Sequence, residues 1–163
     1  MENNLSECEL RDVIGEIISG YPTYIWAGSS NGCEPCSQKH QETLRGLGIE
    51  TYLNVSIFDR FHVSLRYIPK NSEEFIIIDP TYLQFFKPFD EVKAPPILIG
   101  TVENITKEIS SLINSGSLTL NAFNLEQFVR WMYVDTVLAK DKDPREARQE
   151  ARRINQMPAG IFD

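Results

Sequence analysis

The stretch WAGSSNGCEPCSQKHQETLRGLGIE, residues 26–50, carries two cysteines separated by two residues at the head of a segment with helical character. Cys33 opens the predicted helix, Cys36, Leu44 and Leu47 are its inward positions, and Gly48 closes it. A pair so spaced has three chemical meanings: half of a zinc site, a redox couple, or one nucleophile beside an unrelated thiol. Each demands different partners, so the choice also decides what fold must surround the helix.

Zinc needs four ligands, and beyond Cys33 and Cys36 the chain offers only Cys8, His40 and His62, with no second paired motif. A redox couple is favoured by TYIWAG ahead of CEPC, the strand–CxxC–helix order that opens thioredoxin-like proteins, with Pro95 or Pro96 of APPILIG as the proline beside the pair. A helix N-terminus lowers a thiol pKa, which suits such chemistry. It leaves the polar face of a later strand, and Asp79, without a role. A lone nucleophile at Cys33 requires an imidazole nearby, itself held by a carboxylate or amide.

His62 and Asp79 are the candidates for that pair. RFHVSLRYI, residues 60–68, alternates, with Phe61, Val63, Leu65 and Tyr67 on one face and His62, Ser64 and Arg66 on the other, the pattern of a half-buried strand. PKNSEE is a turn by composition, and FIIID follows as a short apolar strand. In a hairpin symmetric about Lys70 and Asn71, paired positions add to 141, which sets His62 directly across from Asp79. Their Cβ atoms would then lie roughly 4.5–5.5 Å apart. His40, on the Cys33 helix, is expected to be partly exposed and outside the chemistry.

The remaining elements surround this centre. ECELRDVIGEIIS, residues 7–19, spaces Leu10, Val13, Ile14, Ile17 and Ile18 as one helix face ending at Gly20; YPTYIWAG is extended, and ETYLNVSIF is a strand. Another strand follows the proline pair in KAPPILIGT, and VENITKEISSLINSG is a helix stopped by Gly116. NLEQFVRWMYVDTVLAK is an amphipathic helix capped by Asn124, with Trp131, Met132 and Tyr133 as its packing. DPREARQEARRINQ is a polar helix begun by Asp143 and Pro144. No repeat or linker divides the chain, so residues 1–163 form one α+β domain with an antiparallel sheet.

Three blocks resemble the transglutaminase-like branch of the papain-like thiol enzymes, and more closely the bacterial effector and toxin domains that deamidate glutamine in host proteins. NGCEPCSQKHQETLRGLGI is similar to the nucleophile helix, in which Gly-Cys opens a helix ending some fifteen residues later in Leu-Gly-Ile; counting back from Gly48 selects Cys33. FHVSLRYI is similar to the histidine strand. FIIIDPTYLQFF is similar to the Asp-Pro-Thr strand end, the most specific of the three, and PPILIGTVENI to the segment after it. The resemblance covers residues 24–113 and leaves 117–163 as a helical extension.

The resemblance implies a papain-like fold and a Cys33-His62-Asp79 triad that forms a thioester. It implies hydrolysis of a glutamine carboxamide on a partner protein, with transamidation and peptide cleavage as chemical neighbours. No cofactor or metal is required. The backbone N–H of Cys33 is the expected first oxyanion donor. Trp26, Ser30, Asn31 and Gln84 are candidates for the rest of the oxyanion and substrate site, Gln84 alternatively supporting backbone near the Asp79 turn. Departures are the short interval from Cys33 to His62 and a thiol at Cys36. A catalytically degenerate domain that only binds a partner is the remaining non-enzymatic expectation.

Composition limits the partners. Charged residues make up 24%, apolar ones 42%, and the net charge of −7 disfavours a nucleic-acid or anionic-membrane surface. The start MENNLSECELRD is acidic and polar, unlike a signal peptide. The expected location is the cytoplasm of the producing cell, with delivery into a host cell by a dedicated secretion system implied by the resemblance.

Overall fold

The computed structural model describes residues 4–18, 32–58, 60–87, 94–120 and 124–155. Among these residues a five-stranded antiparallel sheet runs through the molecule, with helices on both faces. Its strands are β1 (Tyr52–Ser56), β2 (Val63–Tyr67), β3 (Ile76–Asp79), β5 (Leu98–Gly100) and β7 (Thr136–Ala139), in the spatial order β5-β3-β2-β1-β7. Two short strands, β4 (Phe86–Lys87) and β6 (Thr119–Leu120), pair separately. The α+β expectation with an antiparallel sheet holds.

One face of the sheet presents Leu53, Val55, Val63, Leu65, Ile76, Ile78 and Ile99 to α1 (Glu7–Ile18) and α2 (Cys33–Gly46), with Leu10, Ile14 and Leu44 as the helices' buried contribution. Fully burying each such side chain contributes about 1.5–3 kcal/mol. The other face carries Ile77 and Leu98 under α3 (Val102–Asn114) and α4 (Leu125–Val129), through Ile105, Ile109 and Phe128, with Met132 of the turn that follows α4. α5 (Pro144–Asn155) closes the first face near β7 with Ala147.

Helix ends follow local chemistry. α2 stops where Gly48 adopts φ +77°, which lets the Gly48 N–H donate to Arg45 O and the Ile49 N–H to Leu44 O, each near 3 Å. Gly116, at φ +75°, ends α3 in the same way, its N–H on Ile113 O and that of Ser117 on Leu112 O. A side chain with a Cβ is disfavoured in this left-handed conformation, so glycine is the residue that permits both stops. Thr101 and Asn124 cap α3 and α4, each side chain accepting from a backbone N–H three residues on.

Three expectations are corrected. The 124–140 segment is not one helix: α4 passes into a π-helical turn over Arg130–Val134, and Thr136–Ala139 is strand β7 on the edge of β1. The Asp135 N–H reaches back to Arg130 O at 2.7 Å and Asp135 leaves the helix at φ −84°, ψ 68°. β-branched Thr136 and Val137 then favour pairing. The region 117–163 is therefore no purely helical extension but supplies part of the main sheet.

Second, the β2–β3 register differs by two residues. Leu65 faces Ile78 and Arg66 faces Ile77, so pairs add to 143. The turn is asymmetric, with Asn71 at φ +59° and residues 72–75 lying outside the ladder. An even shift preserves the faces, and His62 stays diagonal to Asp79. Third, the polar face of β2 is not solvated, since Ser64 is buried like its apolar neighbours and Arg66 is largely covered. The predicted extended segment YPTYIWAG and the stop at Gly20 lie outside the described residues.

Candidate active site

Cys33 is the first residue of α2, where a backbone N–H has no intrahelical acceptor. Gly32 precedes it without a side-chain cap. The helix is fixed to the sheet by Ser37, whose buried hydroxyl donates to Val63 O at 2.9 Å. This bond ties the Cys33 helix to the residue following His62.

His62 stands immediately before β2 and is locked at its backbone. Its N–H donates to Ser56 Oγ at 2.8 Å, its carbonyl accepts from the Ser56 N–H at 2.9 Å, and the Ser56 hydroxyl donates to Arg60 O at 2.6 Å. The ring has no exposed surface. Phe85 packs edge-on against it, centroids 4.9 Å apart at 84°. Nε2 donates to Asp79 Oδ2 at 2.6 Å.

Asp79 ends β3 and is equally buried. Its Oδ1 accepts from the Thr81 N–H at 3.0 Å and from the Thr81 hydroxyl at 3.4 Å, the turn expected of Asp-Pro-Thr. Its Oδ2 accepts from His62 and also from the Tyr133 hydroxyl, at 2.8 Å. Every oxygen thus has two donors.

Electrostatics follow from this enclosure. Burial disfavours a charged His62, but the charge of Asp79 and its hydrogen bond, joined by a hydrogen bond and charge from Cys33, raise the imidazole to about 10. Cys36 is pushed the other way from reactivity. Burial first, then the charges of Asp79 and Cys33, against the opposing effect of Lys39, raise its thiol to about 11.

Gln84 lies on the far side of the ring, Nε2 at 3.1 Å from His62 Nδ1. When Nδ1 carries no proton the amide donates to it; when the ring is charged, the amide turned end for end accepts instead. Gln84 is half-buried, on a 3-10 turn over Tyr82–Phe85, and it also touches the Asp79 turn, its N–H donating to Thr81 O at 3.2 Å and its side-chain amide to Thr81 Oγ1 at 3.4 Å.

Other candidates are placed as follows. Cys36 is buried, as expected for core, whereas His40 is buried and not partly exposed: its Nδ1 bonds Cys36 O at 2.9 Å, with Cys36 Sγ 3.8 Å away. Burial lowers the His40 pKa. Cys8 is exposed. Among the described residues no group of three or more His, Cys, Asp or Glu side chains is arranged to hold a metal ion. Trp26, Ser30 and Asn31 lie outside the described residues, as does Ser29. No helix among the described residues is long and apolar enough to cross a membrane.

Sequence reasoning assigned Tyr133 to packing alone and missed its bond to Asp79. The residues that aim it were visible only as the polar face of β1 and β2. Asn54 Nδ2 donates to Met132 O at 3.3 Å, and Arg66 donates to Tyr133 O at 3.1 Å and to Thr136 Oγ1 at 3.0 Å. Thr136 in turn donates to Asn54 Oδ1 at 2.7 Å. That face is a socket for the π turn.

No family model matches the chain, and neither a curated protein nor a solved structure matches it significantly. The chemistry open to the site therefore follows from its groups: a thiol at a helix start, an imidazole whose pKa that thiol helps to raise, and a carboxylate fixing Nε2 of the imidazole.

Proposed function

We propose that the chain is a thiol amidohydrolase of papain-like, transglutaminase-like architecture, in which Cys33, His62 and Asp79 deamidate a glutamine side chain of a partner protein. The observation that carries this reading is the buried 2.6 Å bond between His62 Nε2 and Asp79 Oδ2, made by a ring whose pKa the Cys33 side chain also raises. The choice of glutamine, and of a host protein as its bearer, rests on the resemblance of the three sequence blocks.

In the proposed reaction His62 Nδ1 takes the Cys33 proton and the sulfur attacks the carboxamide carbon. The developing oxyanion is met by the Cys33 N–H at the head of α2. His62 returns the proton to the departing nitrogen, ammonia leaves, and a thioester remains on Cys33. Water, deprotonated by His62, then cleaves the thioester, so that glutamine and water give glutamate and ammonium. Asp79 keeps Nε2–H pointed away from the sulfur and balances the imidazolium. An amine in place of water would make the same acyl-enzyme a transamidase.

The antiparallel order of the sheet fits this reading better than a redox one, because thioredoxin-like sheets depend on parallel βαβ connections. The test is iodoacetamide labelling of Cys33, resolved by peptide mass spectrometry, in wild type, His62→Ala and Cys36→Ser. Fast labelling that collapses in His62→Ala and survives Cys36→Ser is expected, followed by ammonia release from glutamine-bearing proteins that Cys33→Ala abolishes. Labelling indifferent to His62, with a Cys33–Cys36 disulfide on mild oxidation, would transfer the assignment to redox chemistry. A slow thiol in every variant would leave a binding module.

A further inference from the structure

We propose that Tyr133 is a positioning residue of this site, and that the π turn of Arg130–Val134 serves to hold its hydroxyl on Asp79. The inference rests on the triad reading above and extends it to a segment outside the resemblance.

The geometry is specific. Asp79 Oδ2 receives two donors, His62 Nε2 at 2.6 Å and Tyr133 Oη at 2.8 Å, while Thr81 occupies Oδ1. Tyr133 has no exposed surface and its only described side-chain acceptor is this carboxylate. It therefore touches no substrate. Its effect must pass through Asp79, by preventing rotation of the carboxylate and by sharing the electron density that Oδ2 offers to the imidazole.

Tyr133 is aimed by an expensive device. A π turn places five residues where an α-helix would need fewer, and such turns recur at functional sites. Met132 O and Tyr133 O are both taken by side chains from the sheet, Asn54 and Arg66. Arg66 is itself held over the Phe75 ring, 3.7 Å from its centroid, and burial lowers its pKa. The ring of Tyr133 meets Phe128 edge-on at 5.6 Å, Phe128 meets Phe85 at 5.4 Å, and Phe85 meets His62. The acid and the base are thus braced from one aromatic row. Packing alone would be met by phenylalanine; a hydroxyl on the acid's reactive oxygen would not.

The experiment is NMR of full-length protein labelled with 15N-histidine, in wild type, Tyr133→Phe and protein with 3-fluorotyrosine at position 133. The two histidines of the chain, His40 and His62, are told apart with a His62→Gln control. Tyr133→Phe frees Oδ2 for His62, so the His62 Nε2–H resonance is expected to move downfield and its titration upward by about one unit, the size of one hydrogen bond to a charged group. 3-Fluorotyrosine, a stronger donor of almost the same volume, is expected to move both the opposite way. It decides the matter alone where Tyr133→Phe does not fold. An unmoved resonance and titration would overturn the inference and leave the triad standing, with Cys33 labelling still dependent on His62. Labelling indifferent to His62 would overturn the triad and the role of Tyr133 together.

Discussion

Gln84 Nε2 lies 3.1 Å from His62 Nδ1, the ring nitrogen that does not face Asp79. In the proposed reaction, proton transfer from Cys33 uses that nitrogen, so Gln84 and the thiol would compete for one position. Gln84→Ala is expected to speed iodoacetamide labelling of Cys33 about three- to tenfold, the equivalent of one ordinary hydrogen bond. Slower labelling would mean instead that Gln84 steadies the ring.

His62 is raised above its unfolded value of 6.5 to about 10, its burial outweighed by the charge and hydrogen bond of Asp79 and by Cys33. A raised folded value means that the folded protein binds the proton more tightly than the unfolded chain. The stability this contributes is complete below the unfolded value and is lost as pH rises through about 10. Urea unfolding of wild type and His62→Gln at several pH values should show a difference that is largest near the acid side of this window and narrows across it. A difference independent of pH would mean that the buried ring stays neutral.

Cys36, pushed up to about 11 by burial and by the charges of Asp79 and Cys33, should resist alkylation in the folded protein near neutral pH. Peptide mapping after brief iodoacetamide treatment should find Cys33 and exposed Cys8 modified, with Cys36 reacting only in denaturant. Modification of Cys36 as fast as Cys8 would show that its side of α2 opens readily.

Arg66→Met removes the donor to Tyr133 O and Thr136 Oγ1. Leaving a buried carbonyl without its donor should cost about 1–3 kcal/mol by urea unfolding. Because the π turn loses an anchor, the His62 Nε2–H resonance should move as well. Lost stability with an unmoved resonance would detach the socket from the site.

Much of the site was legible because its three residues sit at element ends with strong local signals. Cys33 follows a glycine at a helix start, His62 opens an alternating strand, and Asp79 precedes Pro-Thr at the end of an apolar one. The two-residue register difference did no harm, because an even shift leaves a side chain on its own face. Tyr133 was illegible for the opposite reason. Phe128, Val129, Met132 and Tyr133 have helical spacing, and that spacing continues smoothly into the residues that leave the helix. Only Thr136 and Val137 signalled a strand, and the partner that makes it one, β1, is some 80 residues earlier in sequence. His40 misled in a similar way: its polarity suggested exposure, but a bond to Cys36 O satisfies it inside.

The socket formed by Asn54, Ser64 and Arg66 also sets a timetable. β1, β2 and β3 leave the ribosome well before residues 130–139, so Asn54 and Arg66 are made long before the carbonyls they bind, and Asp79 before its fourth donor. Closing such separations slows folding. A nascent chain that already displays Cys33, His62 and Asp79 still lacks the edge strand and the hydroxyl beside the acid. Completion of the edge strand and of the hydrogen bonds to Asp79 is thereby deferred until most of the sequence has been synthesised.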